Sequence, residues 1–513
     1  MMTEQQVQQQ EESQLVAARR AKMQRWIDDY NVYPWGNRVD GLASLAEARA
    51  QFSQEAHDAS KEEGGKDERP RVKVAGRCIQ HRAMGKLTFL VIRDETGDLQ
   101  ISCSKAALPM EQFKVASKLD YGDIIVAEGP IGATQKGEIC VWAESFELSC
   151  KSLVPPPEKF HGISDAELRY RQRYVDMYTN PETIDTFKKR SDIIRAIRSY
   201  METDAFIEVE TPMMQPLAGG AAARPFSTHH NALDIPLFLR IAPELYLKRL
   251  LVGGMRKVYE INRNFRNEGV SKKHNPEFTM LEAYEAFGDC ETMLELTEGM
   301  VRAGATAVSA SLTISFGEHE VDYNKPFDRI SYGDLFERAL GFSMDDEASV
   351  RAKGSELHID GADSIDQWLL VSEIFDACVE ETIDPTRPTF VTDYPSAISP
   401  LTRPHAEKEA LSHRWELFIC GMEIANSYTE LNDPDLQLQR FTEQLHGADD
   451  EVQAFRTLDE DFIHALRVGM PPAGGLGVGI DRLVMLLTGN ESIRDVVLFP
   501  LMKPQDTTYE END

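Results

Sequence analysis

Residues 258–287, VYEINRNFRNEGVSKKHNPEFTMLEAYEAF, read as two β-strands joined by a long polar loop. Side chains alternate between the faces of a strand. Tyr259, Ile261 and Phe265 therefore fall on one side of the first strand, and Glu260, Asn262 and Arg266 on the other. On the second strand Phe278, Met280, Glu282 and Tyr284 share a face, while Gly269 and Pro276 mark the loop as turn-rich. A guanidinium, a histidine (His274), an aromatic ring and carboxylates thus converge on one hairpin. Such a grouping is costly on a sheet unless a charged, planar ligand pairs with it. The competing reading is a solvated hairpin with a salt-bridged arginine, since alternation alone yields a polar face.

The 513 residues are enough for about three domains. A hydrophobic content of 42% with 27% charged residues describes a soluble globular protein. No stretch approaches the ~20 apolar residues of a membrane span. The opening MMTEQQVQQQEESQ is polar and acidic, unlike a secretory leader. Seven cysteines without a CxxC spacing argue against a disulfide framework and a cysteine zinc site, so the expected compartment is the reducing cytoplasm. A net charge of −30 repels polyanions, so any RNA contact must use local basic clusters such as those at 19–25, 169–173 and 188–190.

Along the chain, residues 1–69 hold a Gln-rich leader and a helix with Leu15, Met23 and Trp26 at helical spacing. A second helix, LASLAEARAQFSQEA, and the linker KEEGGKDERP follow. This arm either touches RNA through its basic face or packs on a surface or dimer contact. Residues 70–155 are short β-rich runs between Gly-containing turns, which predict a small barrel of about five strands, with an OB-fold fitting. PPPEKFHG (155–162) reads as a hinge. Next comes a long amphipathic helix with Ile184, Phe187, Ile194, Ile197 and Met201 along one side, running into the strand FIEVETP. Gly219 and Gly220 allow a backbone to approach a ligand closely. Glu244 opens a helical pattern, where an acid is also ordinary. Residues 289–410 are less informative, and 341–365 read as a surface insertion.

WELFICGMEIANSYTELNDP (415–434) reads as two strands about a Gly421–Met422 turn, which puts Glu416 and Glu423 on one face. Two converging carboxylates suit Mg²⁺, which retains waters and substrate phosphates. Parity then leaves Asn426, Tyr428 and Glu430 on the opposite face from Glu423. Either a bulge near Ala425 re-aims the strand, or the turn lies elsewhere. PPAGGLGVGIDRLVMLLTG (471–489) is a Gly-rich strand entering a helix, with Arg482 in its first turn.

FRNE followed by HNPEFTMLE resembles motif 2 of the class II aminoacyl-tRNA synthetases. The helix–strand–proline ending at Pro212 is similar to motif 1, and GLGVGIDRL to motif 3. The segments APELYLK and PTFVTDYPSAISPL resemble the lysyl-tRNA synthetase family, and RAMGKLTF and GDLQI its anticodon-binding domain. The resemblance covers roughly 160–505 together with 70–155. It implies an α+β fold: an N-terminal OB-fold β-barrel and a catalytic domain on an antiparallel sheet. The division is then a helical extension and linker (1–69), an anticodon-binding domain (70–155) and a class II catalytic domain (156–513). The implied protein is a homodimer built through motif 1, with no membrane association. It activates L-lysine with ATP to lysyl-adenylate and pyrophosphate, then transfers lysine to the 3′ end of lysine tRNA.

By the same resemblance Arg266 holds the α-phosphate and the lysine carboxylate, and Arg266 and Arg482 are the catalytic arginines. Glu268 and Phe278 position adenine, while His274 and Arg482 contact phosphates. The glycines of motif 3 accept adenine against the backbone. Glu416 and Glu423 hold Mg²⁺. Gly220, Glu244, Glu282, Tyr284, Asn426, Tyr428 and Glu430 bind lysine, Glu430 pairing with the ε-ammonium. Arg82, Phe89 and Gln100 contact the uridine-rich anticodon by stacking and hydrogen bonding. Without the resemblance, Phe89 reads equally well as barrel core. Ala425 and Ser427 stand where many bacterial members carry glycine, and Met422 where Arg or Lys is common. Small residues remain, so little functional effect is expected. Three alternatives make different demands on the sequence. Aspartyl- and asparaginyl-type synthetases should have a cationic side-chain pocket. Ligases that attach lysine to protein lack the barrel. A non-catalytic RNA-binding paralogue would lose Arg266, Glu416, Glu423 and Arg482, all of which are present.

Overall fold

The computed structural model describes residues 14–62, 66–155, 163–220, 223–446 and 459–504. The first part of the Gln-rich leader, residues 63–65 of the linker, the Pro-rich stretch 156–162, most of the acidic run 449–462 and the acidic tail lie outside them. By its contacts the chain divides into two compact units, Met1–Asp185 and Thr186–Asp513, a division falling within the helix Pro181–Thr203.

The first unit is a barrel. Its strands are β1 (Arg71–Met84), β2 (Leu87–Asp94), β3 (Gly97–Ser104), β4 (Ile124–Ala133), β5 (Ile139–Ala143) and β6 (Ser145–Cys150). The order β1-β2-β3-β5-β4 closes because β1 pairs with both β2 and β4, and β6 adds on to β4. One long strand can serve both neighbours because a bulge between Cys78 and Gln80 bends it where the partner changes. Leu90, Ile92, Leu99 and Ile101 alternate into the core and have no exposed surface. The last β-rich run of the sequence splits into β5 and β6, giving six strands where about five were expected.

Helix α1 (Gln14–Tyr30) packs on this barrel through Trp26, which is 2% exposed and joins the barrel's core. Lys22 Nζ lies 2.6 Å from Asp120 Oδ1, and Arg19 Nη1 donates to the Ser152 carbonyl at 3.0 Å. The apolar stripe expected at Leu15, Met23 and Trp26 holds only at its C-terminal end. Leu15 is exposed, because the polar contacts of Arg19 and Lys22 set which face meets the barrel.

In the second unit the helices used below are α2 (Pro181–Thr203), α3 (Glu244–Val252), α4 (Cys290–Val308), α5 (Glu347–Glu356) and α6 (Ile480–Thr488). The strands are β7 (Ile207–Glu208), β8 (Met214–Gln215), β9 (Ser227–His230), β10 (Ile235–Leu239), β11 (Lys257–Phe265), β12 (Glu277–Ala286), β13 (Thr313–Phe316), β14 (His319–Asp322), β15 (Asp328–Ser331), β16 (Thr389–Thr392), β17 (Arg414–Ile419), β18 (Met422–Thr429) and β19 (Ala473–Gly479). Eight of them form one sheet in the order β15-β16-β17-β18-β19-β12-β11-β7. Its interior pairings are all antiparallel, and only the two edge pairings, β15–β16 and β11–β7, are parallel.

Helices α2, α4 and α6 share a core with the sheet, contributing among others Ile193, Ile197, Met201, Met293, Val301 and Leu483. The buried stripe of α2 is therefore Ile193–Ile197–Met201 at i, i+4, i+8. Ile184, Phe187 and Ile194 are only half-buried, which corrects the stripe expected from periodicity. The segment 341–365 is also more than a surface insertion. It contains α5, whose Val350 is fully buried in a second core cluster with Leu370 and Ile374.

Candidate active site

The hairpin of β11 and β12 pairs Glu260 with Glu282 and Asn264 with Phe278, leaving the polar loop 266–276 outside the ladder. Two cavities adjoin above the sheet, one of about 650 Å³ and one of about 120 Å³. Arg266, Met280, Asn426 and Gly477 line both. The larger also takes in Gly220, Glu244, Glu282, Tyr284, Arg414, Tyr428 and Gly475. The smaller takes in Glu268, His274, Phe278, Glu423, Asp481 and Arg482.

The sheet register explains this division. Across β12, β19 and β18, Glu282 pairs with Gly477, which pairs with Asn426, and Tyr284 pairs with Gly475, which pairs with Tyr428. Glycines in the middle strand leave the floor open between functional side chains on both neighbours. A Cβ on Gly475 would sit 1.8 Å from Glu430 Oε1 and 2.7 Å from Tyr284 Cε1. Gly475 thus belongs to the larger cavity, not to the adenine site that the resemblance implies for the glycines of this strand. Gly220 has φ +88°, a left-handed backbone, and a Cβ there would press on Ala242 and Glu244.

The β17–β18 hairpin departs from expectation. Its turn is Cys420–Gly421, both with positive φ, and Ile419 pairs with Met422, so the turn lies one residue before Gly421–Met422. Phe418 then pairs with Glu423 but Leu417 with Ala425, leaving Ile424 as the extra residue of a bulge. Both alternatives left open by parity therefore operate together. The bulge brings Asn426 and Tyr428 on to the face shared by Glu416 and Glu423, and Asn426 Nδ2 donates to Glu423 Oε1 at 3.1 Å. Glu416 accepts from Tyr394 Oη at 2.8 Å and is ion-paired with Arg414.

Electrostatics at the larger cavity are dominated by buried carboxylates. Burial pushes Glu282 up to about 8, with Glu244 adding to the rise and Arg240 and Arg266 opposing it. Glu430 is fully buried beneath the cavity rather than on its wall, and burial pushes it up to about 8 against Lys248. Tyr284 Oη donates to Glu282 Oε2 at 3.3 Å.

At the smaller cavity Arg266 Cζ lies 5.1 Å from the Phe278 ring centroid, and its buried Nε has no hydrogen-bond partner. Arg482 Nη2 lies 3.0 Å from His274 Nε2, and since arginine only donates, that nitrogen accepts. Nδ1 then carries the proton toward Ser271 Oγ at 2.9 Å. Burial and the neighbouring Arg482 hold the His274 imidazolium below its usual range, so the ring is neutral at pH 7.

On the barrel, Arg82 pairs directly opposite Phe89, and Gln100 lies opposite Val91 one strand further on. Thr88 and Leu90 point inward, so Phe89 stands on the outer face, against its reading as barrel core. Sequence reasoning missed Lys248, Arg414, Tyr394, Gly475 and Asp481. Asp481 is 2% exposed, accepts from the Thr279 amide at 2.7 Å and pairs with Arg190 at 2.6 Å. Lys248 left a signal in its i, i+4 spacing from Glu244, and Gly475 and Asp481 lie in the Gly-rich string 471–489.

Comparison with known proteins identifies the family. Residues 165–503 match the family described as tRNA synthetases class II (D, K and N), and residues 72–155 match the OB-fold nucleic acid binding domain. The chain is 47% identical over 502 residues to a lysine–tRNA ligase of Carboxydothermus hydrogenoformans, covering 97% of this chain and 99% of that one. It is 48% identical to the lysine–tRNA ligase of Pelotomaculum thermopropionicum, over 96% of each chain. It is 45% identical to that of Bordetella bronchiseptica, over 97% and 98%.

Proposed function

We infer the reaction from one premise: the chain belongs to the class II tRNA synthetases of the D, K and N group, with an OB-fold domain ahead of the catalytic one. It is a lysine–tRNA ligase, an enzyme that activates L-lysine with ATP and joins it to tRNA. The observation that carries lysine over aspartate and asparagine is the acidic pocket. Glu244 and Glu282 line the larger cavity, and Glu430 lies beneath it. Such a site pairs with an ammonium and leaves buried charge unpaired with any neutral or acidic side chain.

The chemistry needs no nucleophile from the protein. A lysine carboxylate oxygen attacks the α-phosphorus of ATP, the bond to the β-phosphate oxygen breaks, and pyrophosphate leaves. The 3′-terminal ribose hydroxyl of tRNA then attacks the adenylate carbonyl and AMP leaves. Positioning and charge neutralisation supply the rate. Arg266 stands where the two cavities meet, with a buried N–H free for an anion, which suits the α-phosphate and the lysine carboxylate. Phe278 offers a ring for adenine with Glu268 beside it, and the His274–Arg482 pair faces the phosphates. Glu244, Glu282, Tyr284, Asn426, Tyr428 and Gly220 surround lysine, and Glu430 takes the ε-ammonium.

We assign Mg²⁺ to Glu416 and Glu423. The donors fit: both are hard oxygens on one face, and Glu423 is open to the smaller cavity. Among the described residues no group of three or more acidic, His or Cys side chains could hold a metal, so water and phosphate would complete the sphere. Bound there, the ion would offset phosphate charge.

A homodimer is the proposed assembly, supported by exposed Ile207 in motif 1 and exposed Met214, Leu233 and Ile235 in the segment after it. Sedimentation at twice the 57.8 kDa chain mass is expected, and a monomer would remove the proposal. The cytoplasm fits seven unpaired cysteines, and no described helix is long and apolar enough to cross a membrane.

The test is ATP–pyrophosphate exchange across a panel of amino acids, followed by charging of a lysine tRNA transcript. Lysine alone should support exchange, and exchange with aspartate or asparagine instead would reject the assignment. For the barrel, Phe89→Ala should lower charging by about 10-fold, the worth of one stacked base, while exchange stays intact. Unaltered charging would remove Phe89 from the anticodon site.

A further inference from the structure

We propose that Lys248 is a positioning residue for the amino-acid substrate. Its buried ammonium is a built-in counter-cation that lets the three carboxylates of the lysine site be ionised together and presents the free oxygen of Glu430 to the incoming ε-ammonium. The inference rests on the reading that the larger cavity takes lysine.

Lys248 has no exposed surface. Its Nζ lies 2.7 Å from Glu244 Oε1 and 2.5 Å from Glu430 Oε2, bridging a carboxylate on the cavity wall to one beneath the floor. Burial alone opposes the charge on Lys248, yet the two carboxylates outweigh it and the ammonium is held charged more firmly than usual. The remaining oxygen of Glu430, Oε1, is buried and accepts no hydrogen bond. It is also the atom that Gly475 makes room for, so this acceptor faces the cavity floor.

Charge counting gives Lys248 its place. Glu244, Glu282 and Glu430 bring three negative charges to one low-dielectric site. Substrate lysine brings two ammoniums, and its carboxylate faces Arg266 on the other side. Only with Lys248 does the site come out neutral, and without it one carboxylate must hold a proton or stay unpaired. The groups facing Glu430 are Lys248 and Glu244 from α3, Tyr284 from β12 and Tyr428 from β18. Lys248 is the cation that lowers Glu430, so its loss moves that carboxyl further up.

The experiment compares the full-length wild type with Lys248→Met in lysine-dependent ATP–pyrophosphate exchange, from about pH 6 to 9. Lysine KM should rise on the order of 100-fold, as when one partner of a buried pair is removed, while ATP KM stays within about twofold. The pH below which lysine KM climbs should move upward, because Glu430 must lose a proton to bind. An unchanged lysine KM and pH profile in a folded variant would overturn the proposal, as would lysine and ATP KM rising together. Should Lys248→Met fail to fold, calorimetry of lysine binding to wild type in two buffers decides. Neutralisation by two ammoniums predicts release of about one to two protons per lysine near pH 7, and release of less than about half a proton would refute the charge balance. A wild type without lysine-dependent exchange would instead sink the functional reading itself.

Discussion

Glu430→Gln is expected to abolish lysine-dependent ATP–pyrophosphate exchange, lowering kcat/KM for lysine by at least about 1,000-fold, while ATP still binds. The substitution keeps the shape of the side chain, so packing is not the cause. Glu430 is fully buried and is ion-paired with Lys248 at 2.5 Å, with Glu244 also facing it. A neutral amide cannot balance an ε-ammonium there. The nucleotide cavity is lined by other residues, so binding of ATP measured by equilibrium titration separates a lost lysine site from a lost fold. Normal exchange in this variant would withdraw Glu430 from the lysine site. In the wild type, lysine affinity should weaken as pH falls through about 8, where Glu282 and Glu430 take up protons in the empty pocket. Carboxylates with raised pKa values bind a cation above that range and lose it below.

Gly475→Ala is the second large effect, and it rests on packing. Position 475 has no positive φ, so alanine suits its backbone, and the conflict lies wholly in the added methyl. That Cβ would fall 1.8 Å from Glu430 Oε1 and 2.9 Å from Glu430 Cδ. Glu430 is held from behind by Lys248, so the carboxylate cannot retreat without breaking the pair. Lysine KM should rise by about 100-fold or more, with a loss of stability of about 1–3 kcal/mol from overpacking. Gly479→Ala on the same strand meets nothing closer than 3.7 Å and should be far milder. Equal effects of the two substitutions on lysine KM would show that Gly475 does not set the pocket floor.

Much of the site was legible because its residues come in contiguous strings. Arg266, His274, Phe278 and Glu282 lie on one hairpin, where alternation puts Phe278 and Glu282 on one face and the loop carries Arg266 and His274. Phe89 was ambiguous because a half-buried aromatic looks alike on either side of a barrel strand. The fully buried Thr88 and Leu90 beside it settle its direction. The carboxylate hairpin failed on parity because a single extra residue, Ile424, reverses every later side chain. Nothing in the composition of MEIANS marks a bulge.

The sequence by itself determined the class of fold, the ligand chemistry and the residues along each strand, because strand period and motif strings are local properties. Tertiary structure alone decided how those strands face one another. It put Gly475 between Tyr284 and Tyr428, and joined Lys248 on a helix to Glu430 after a strand. Each of these depends on register between segments far apart in the chain. A one-residue change in pairing costs nothing in local propensity yet exchanges the buried face for the exposed one.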